Sequence, residues 1–220
     1  MDSKQLDEII KHGYAFYDST KDVENHRYKS WEYCHEIFKE LRGRNDEETV
    51  DYLCLHLAWY LASWGMLRGK AFLLQKDYKV HKPVVNLICQ PEWDDLWDIK
   101  AEDLANKETA EKIFSLSNQI FDIYKDATGR DASPTLLTKI LLGTIGCTPA
   151  YDRYFTAGLG KINVTKTYGV NSLRKVANLY LDNIEEFEKL RNFCKEQSGI
   201  DYPPVKILDM CFFESGMEEE

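Results

Sequence analysis

The chain has 220 residues, of which 44% are hydrophobic and 30% are charged, and its formal net charge at pH 7 is −9. A single domain of this length can bury a sizeable apolar core, and the composition excludes intrinsic disorder, collagen-like repeats and a disulfide scaffold. The negative charge argues against a surface devoted to duplex nucleic acid or to an anionic membrane, because such surfaces depend on clustered Lys and Arg.

Proline is absent before Pro83, which favours long uninterrupted helices in the first third of the chain. Apolar residues recur at helical spacing over 3–18 and again over 23–41. Asn45 or Asp46 can then cap a third helix, at about 47–67. The apolar residues of this third helix cover nearly all of its sides, so we expect it to lie at the centre of a bundle.

Basic residues follow the third helix in a cluster. Between Arg68 and Lys82 there are five Lys or Arg residues and one acidic residue, Asp77. Gly65 and Gly69 can allow a ligand or a backbone to approach closely, and Arg68 can form a bidentate pair with a carboxylate or phosphate. The alternative is purely structural: Gly69 ends the third helix, and Arg68 complements the helix dipole.

The middle of the chain contains further helical patterns. Turns at Pro83 and Pro91 separate short helices. An amphipathic helix is predicted over 106–127, and a helix capped by Ser133-Pro134 runs to about Leu142. A glycine-rich loop and a short helix over 150–155 follow.

The last quarter is also predicted to be helical. Residues 161–168 have some strand character, but they are too isolated to form a sheet. A long helix over 171–194 and a terminal helix from Pro203-Pro204 to Phe213 follow, and we expect the acidic tail 218–220 to fray.

These patterns together predict an all-α fold. We expect a single globular domain over 1–220, with about eight to ten helices around the buried third helix, and with the option of a shallow subdivision near 93–106.

The location and the cofactors are predicted from what the sequence lacks. The charged N-terminus has no apolar segment or cleavage site of a signal peptide, and residues 50–67 are too short and too polar for a convincing membrane span. The six cysteines have no C-x-x-C spacing, and the five histidines have no metal-binding spacing. We therefore expect a cytoplasmic, bacterial protein with reduced core thiols, without a metal or other cofactor and without a membrane partner.

The segment 138–155 places a lysine on a helix, then a glycine-rich turn, then a proline and an aspartate that open the next helix. In this respect it resembles the helix-hairpin-helix DNA glycosylase superfamily. The resemblance implies that Lys139 is a nucleophile that forms a Schiff base with the sugar, and that Asp152 supports the developing charge. Alternatively, the hairpin is a scaffold in a bacterial family without glycosylase activity, with Lys139 solvated and Asp152 interacting with the helix dipole.

The main functional hypothesis is that the protein binds a partner or a small anionic ligand in a pocket between the third helix and the hairpin. Besides the pair Lys139 and Asp152, the candidate ligand-binding residues are His56, Tyr60, Trp64, Arg68 and Tyr151. Two alternatives stay open. One is a DNA glycosylase or lyase that uses the pair, which is the one hypothesis with a nucleic-acid partner. The other is an oligomeric structural or interaction protein.

Overall fold

A computed structural model describes residues 3–217, and the acidic tail 218–220 lies outside them. The described chain contains ten α-helices of at least seven residues, one shorter α-helix and four 3-10 helices, and this part contains no β-strand. The α-helices are α1 (Ser3–Lys21), α2 (Ser30–Leu41), α3 (Glu47–Ser63), α4 (Lys82–Ile88), α5 (Ala101–Ala105), α6 (Lys107–Thr128), α7 (Pro134–Gly143), α8 (Arg153–Lys161), α9 (Val170–Leu181), α10 (Ile184–Ser198) and α11 (Pro204–Met217). The 3-10 helices are Arg27–Lys29, Phe72–Gln75, Tyr78–His81 and Pro91–Leu96. The all-α prediction is confirmed.

Side-chain caps determine where several helices begin. The Asp46 carboxylate accepts a hydrogen bond from the Thr49 N–H at 2.9 Å and starts α3. The Ser133 hydroxyl accepts from the Leu136 N–H at 3.2 Å and starts α7, with Pro134 in the first turn. These bonds satisfy N–H groups that have no partner inside their helix, as the sequence predicted.

Two predicted long helices are interrupted. The segment 23–41 passes through the 3-10 helix Arg27–Lys29 before α2 begins. The segment 171–194 is divided between α9 and α10 at Asn183, whose side-chain amide donates to the Leu179 carbonyl oxygen at 2.8 Å. A side chain that bonds to the backbone carbonyl four residues earlier competes with the helical hydrogen-bond pattern, and apolar periodicity does not reveal such a contact.

The helix buried most completely is α11. Every residue from Pro204 to Phe213 is buried, whereas α3 ends at Ser63 and exposes 45% of Tyr52 and 72% of Trp59. The expectation that the segment 47–67 is the buried central helix therefore differs from the structure, in which α11 packs against α1, α8 and α10. Apolar residues all round a helix do not require burial all round, because folded proteins expose much apolar surface.

The rest of the chain joins the same core. Residues of the segment 93–106, including Trp93, Trp97 and Leu104, pack into the core that α11 occupies. All six cysteines are buried and free of disulfides. Within residues 3–217, we find no helix with both the length and the apolar character that crossing a membrane requires.

Two glycines allow α8 to approach α11 closely. A Cβ atom at Gly158 would overlap with the Phe212 carbonyl oxygen, and one at Gly216 would overlap with the Tyr154 carbonyl oxygen. Both obstacles are backbone atoms, which cannot rotate away as a side chain can. Close packing of α8 against α11 therefore depends on having glycine, which has no side chain, at these two positions.

We expect Gly158→Ala to lower the free energy of unfolding by about 1–3 kcal/mol, because the added methyl group forces the two backbones apart. Gly160→Ala in the same helix is the matched control, since its methyl group would meet only the flexible end of Lys166. That control gains helix propensity of roughly 0.5–1 kcal/mol. Urea unfolding measures both variants, and equal stabilities would contradict the packing argument.

Candidate ligand-binding site

Lys139 lies on the buried helix α7, and only 4% of it is exposed. Its Nζ lies 3.0 Å from Asp152 Oδ2, and it donates a hydrogen bond to the Trp64 carbonyl oxygen at 3.1 Å. The same ammonium group lies 5.2 Å from the centroid of the Trp64 ring. A buried charge needs such partners, because its lost hydration would otherwise destabilise the fold by several kcal/mol.

Asp152 connects this lysine to the next helix. Its Oδ1 accepts hydrogen bonds from the N–H groups of Tyr154 at 3.1 Å and Phe155 at 3.0 Å, so Asp152 is the N-cap of α8. Its Oδ2 contacts Lys139. The predicted short helix over 150–155 therefore begins later, at Arg153, because the capping residue itself has extended backbone angles.

A second buried ion pair, absent from the sequence-based candidates, lies next to the first. Lys206 Nζ is 3.1 Å from Asp209 Oδ2 on α11, and the Lys206 ammonium group is 5.1 Å from the centroid of the Trp64 ring. Asp209 Oδ1 accepts from the Ala150 N–H at 3.0 Å. Burial raises the pKa of Asp209, while Lys206 acts in the opposite direction. The signal in the sequence is a Lys and an Asp three residues apart in the otherwise apolar stretch 204–213.

The end of α7 and the turn that follows it are also attached to α2. The Trp31 indole N–H donates to the Leu142 carbonyl oxygen at 2.9 Å, and His35 Nδ1 lies 2.7 Å from the Thr144 carbonyl oxygen. A carbonyl only accepts, so Nδ1 carries the proton in this contact. Burial lowers the pKa of His35 to about 4, which keeps the ring neutral at pH 7.

The Lys139–Asp152 pair forms part of the wall of a cavity of about 460 Å³, which we call the proximal cavity. Three exposed arginines, Arg27, Arg68 and Arg153, also line it. The aromatic side chains in its wall are Tyr28, Trp64, Tyr154 and Phe213. Among the described residues that line it, Asp152 is the one acidic side chain, beside Lys139 and the three arginines.

The end of α3 places Arg68 at this cavity. Gly65 has a φ of +75°, and the Met66 N–H donates to the Leu61 carbonyl oxygen at 2.8 Å, which closes the helix. Gly65, and not Gly69, is therefore the glycine that ends α3. A Cβ at Gly65 would lie 3.1 Å from the Arg68 guanidinium carbon, so the glycine also leaves space for that side chain to fold back.

The structure brings together four of the seven residues that the sequence singled out: Trp64, Arg68, Lys139 and Asp152. The other three do not line the proximal cavity. Tyr60 is buried against Gly143, and the Tyr151 hydroxyl is buried 2.8 Å from Ser172 Oγ. His56 is half-buried and packs against Tyr52 with the ring centroids 4.5 Å apart. Helical periodicity placed them near the site but could not show which way each side chain points.

Arg27, Arg153 and the aromatic rings of Tyr28 and Tyr154 were not among the sequence-based candidates. Arg153 directly follows the capping aspartate, which is a usable signal, whereas Arg27 and Tyr28 lie in a short 3-10 helix without a motif. Within residues 3–217, no group of three or more His, Cys, Asp or Glu residues is arranged to bind a metal ion. The proximal cavity contains an amine beside a carboxylate, several guanidinium groups and aromatic rings.

Comparison with protein-family models, with curated proteins and with solved structures gives no match to this chain. The resemblance of the segment 138–155 to helix-hairpin-helix glycosylases therefore stays a prediction that depends on those residues alone.

We expect Lys139→Met and Asp152→Asn each to lower the free energy of unfolding by about 3–5 kcal/mol, because each leaves a buried partner uncompensated. The double variant should lose less than the sum of the two, since it removes the charge that each single variant leaves alone. Lys107→Met is a matched control at the exposed Lys107–Glu111 pair, where a loss of less than about 1 kcal/mol is expected. Additive losses in urea unfolding would show that the two side chains are not coupled.

Proposed function

We propose that this protein binds a small anionic ligand in the proximal cavity. The observation that carries the proposal is the arrangement of three arginines around a cavity whose one acidic residue is already neutralised by Lys139. Guanidinium groups bind carboxylate and phosphate oxygens in bidentate geometry. Arg68 has no ion-pair partner in the described part of the chain, so it is available for such a contact.

The aromatic rings in the wall of the proximal cavity indicate which kind of anion suits it. Tyr28 and Trp64 stack with their ring centroids 4.5 Å apart, and Tyr154 meets Phe213 edge to face at 5.1 Å. A cavity that combines such rings with positive groups suits an anion that also has an apolar or aromatic part. The proposal includes a cytoplasmic location, which the six buried free thiols support.

Isothermal titration calorimetry with inorganic phosphate and phenyl phosphate tests this proposal. We expect phenyl phosphate to bind more tightly, because its ring adds apolar contacts, and Arg68→Ala to weaken its affinity by about tenfold or more. Arg44→Ala is the matched control, since Arg44 is exposed and lines a different surface. Saturable binding of neither probe, or equal binding by the Arg68→Ala variant, would contradict the proposal.

A second candidate is a lyase that acts on DNA, and the 3.0 Å contact between Lys139 Nζ and Asp152 Oδ2 favours it. Asp152 can accept a proton from the ammonium group, which leaves a neutral amine. That amine can then add to the aldehyde carbon of an abasic sugar and, with loss of water, form an imine. In this hypothesis the arginines of the proximal cavity contact the phosphates that flank the sugar.

Borohydride trapping distinguishes the two candidates. If the lyase hypothesis holds, wild type forms a covalent adduct with an abasic oligonucleotide, and Lys139→Gln forms none because the reactive amine is gone. Lys175→Gln, on an exposed lysine of α9, should be trapped like wild type. An untrapped wild type, or an adduct that survives in Lys139→Gln, would exclude the role of Lys139. An enzyme that releases the base without an imine would be detected in a separate base-release assay.

A further inference from the structure

A second, larger cavity adjoins the proximal cavity. This distal cavity has a volume of about 990 Å³, and Met66 and Ala71 line both cavities. The distal cavity is formed by the segment that follows α3 and by the turn between α6 and α7. The two cavities are therefore neighbours, with Met66 and Ala71 between them.

The distal cavity is also positively charged. Lys70, Lys76 and Arg130 line it, and all three are exposed. Its one acidic residue among those described, Asp131, is paired with Lys125 at 3.3 Å. Within the described chain, none of the three basic residues has a carboxylate at ion-pair distance, although the protein as a whole has a net charge of −9.

The two cavities together concentrate positive charge in an acidic protein. Seven basic and two acidic side chains line them, and both acidic ones are already paired with a lysine. Like charges held near one another repel, so this arrangement destabilises the free protein slightly and favours an anion that bridges them. A single small anion in the proximal cavity would not contact Lys70, Lys76 and Arg130, which line the distal cavity.

We propose that the distal cavity is a second anion subsite, and that the two cavities together bind a flexible chain that carries several phosphate groups. The inference rests on the proposed function, since it assumes an anion in the proximal cavity. A flexible chain fits better than a duplex, because the basic groups lie in two adjoining hollows and not along an extended convex face. The shared chemistry, repeated phosphates on a flexible chain, is found in single-stranded nucleic acid and in inorganic polyphosphate.

The test compares two variants with the same change in net charge. The distal variant carries Lys70→Gln, Lys76→Gln and Arg130→Gln. The control variant carries Lys11→Gln, Arg44→Gln and Lys175→Gln, whose parent residues are exposed and line neither cavity. The probes are phenyl phosphate, a short oligothymidylate and a linear polyphosphate with the same number of phosphates.

We expect wild type to bind at least one chain probe about tenfold or more tightly than phenyl phosphate at the same salt concentration, because the second contact is intramolecular. The distal variant should bind the chain probe no more tightly than phenyl phosphate, and its affinity for phenyl phosphate should equal that of wild type. The control variant should behave as wild type with every probe. For oligothymidylate, the slope of log K against log salt is negative, and its magnitude should decrease by about 0.7 for each phosphate that the distal variant no longer binds.

Preference for oligothymidylate would identify single-stranded nucleic acid, whose bases can stack on the aromatic rings, and equal or tighter binding of polyphosphate would identify the phosphate chain itself. Either result supports the second subsite. Chain probes that bind no more tightly than phenyl phosphate, or a distal variant that matches the control variant, would overturn it. If phenyl phosphate does not bind but a chain probe does, and the distal variant loses that binding, the small-ligand proposal fails while the distal subsite stands.

Discussion

The two buried lysines beside the Trp64 ring are the constraint on which the rest of the structure depends. Each ammonium group is removed from water, and each is compensated by one aspartate and by the π-face of aromatic rings. The four charged groups belong to α7, to the cap of α8 and to α11, and Trp64 is the C-cap of α3. Four elements must therefore be in place at once, since misplacing any of them leaves a buried charge without its partner.

The two buried ion pairs, Lys139–Asp152 and Lys206–Asp209, lie in different places and have different roles in the structure. The Lys139–Asp152 pair forms part of the wall of the proximal cavity, whereas Asp209 uses its second oxygen to hold the Ala150 N–H in the turn before Asp152. The Lys206–Asp209 pair thus helps to position the Lys139–Asp152 pair. A well-packed apolar core could replace buried ion pairs at similar stability, so stability alone does not account for charges at the wall of a cavity. In the proposed function these charges contribute to the binding of an anionic ligand, and this is the reason for connecting the cluster with that proposal.

The net charge of −9 describes the surface poorly. Positive groups gather around the proximal and distal cavities, and the two acidic side chains that line these cavities, Asp131 and Asp152, are each paired with a lysine. The electrostatic field near a cavity depends much more on the charged groups that line it than on the net charge of the whole protein, because salt screens charges beyond about 10 Å. An acidic protein can therefore present a local site for anions.

The sequence by itself determined the all-α class, most helix positions and the cap at Ser133, and it restricted the cap of α3 to Asn45 or Asp46, because periodicity and capping are local properties of neighbouring residues. It also singled out Lys139 and Asp152, since a lysine on an apolar helix and an aspartate before the next helix are visible in one segment. Only the tertiary structure decided that α11 is the buried helix, that Lys206 joins the cluster, and that Tyr60 and Tyr151 point into the core. These outcomes depend on how distant helices pack and on the direction of each side chain, which the spacing of residues along one helix does not specify.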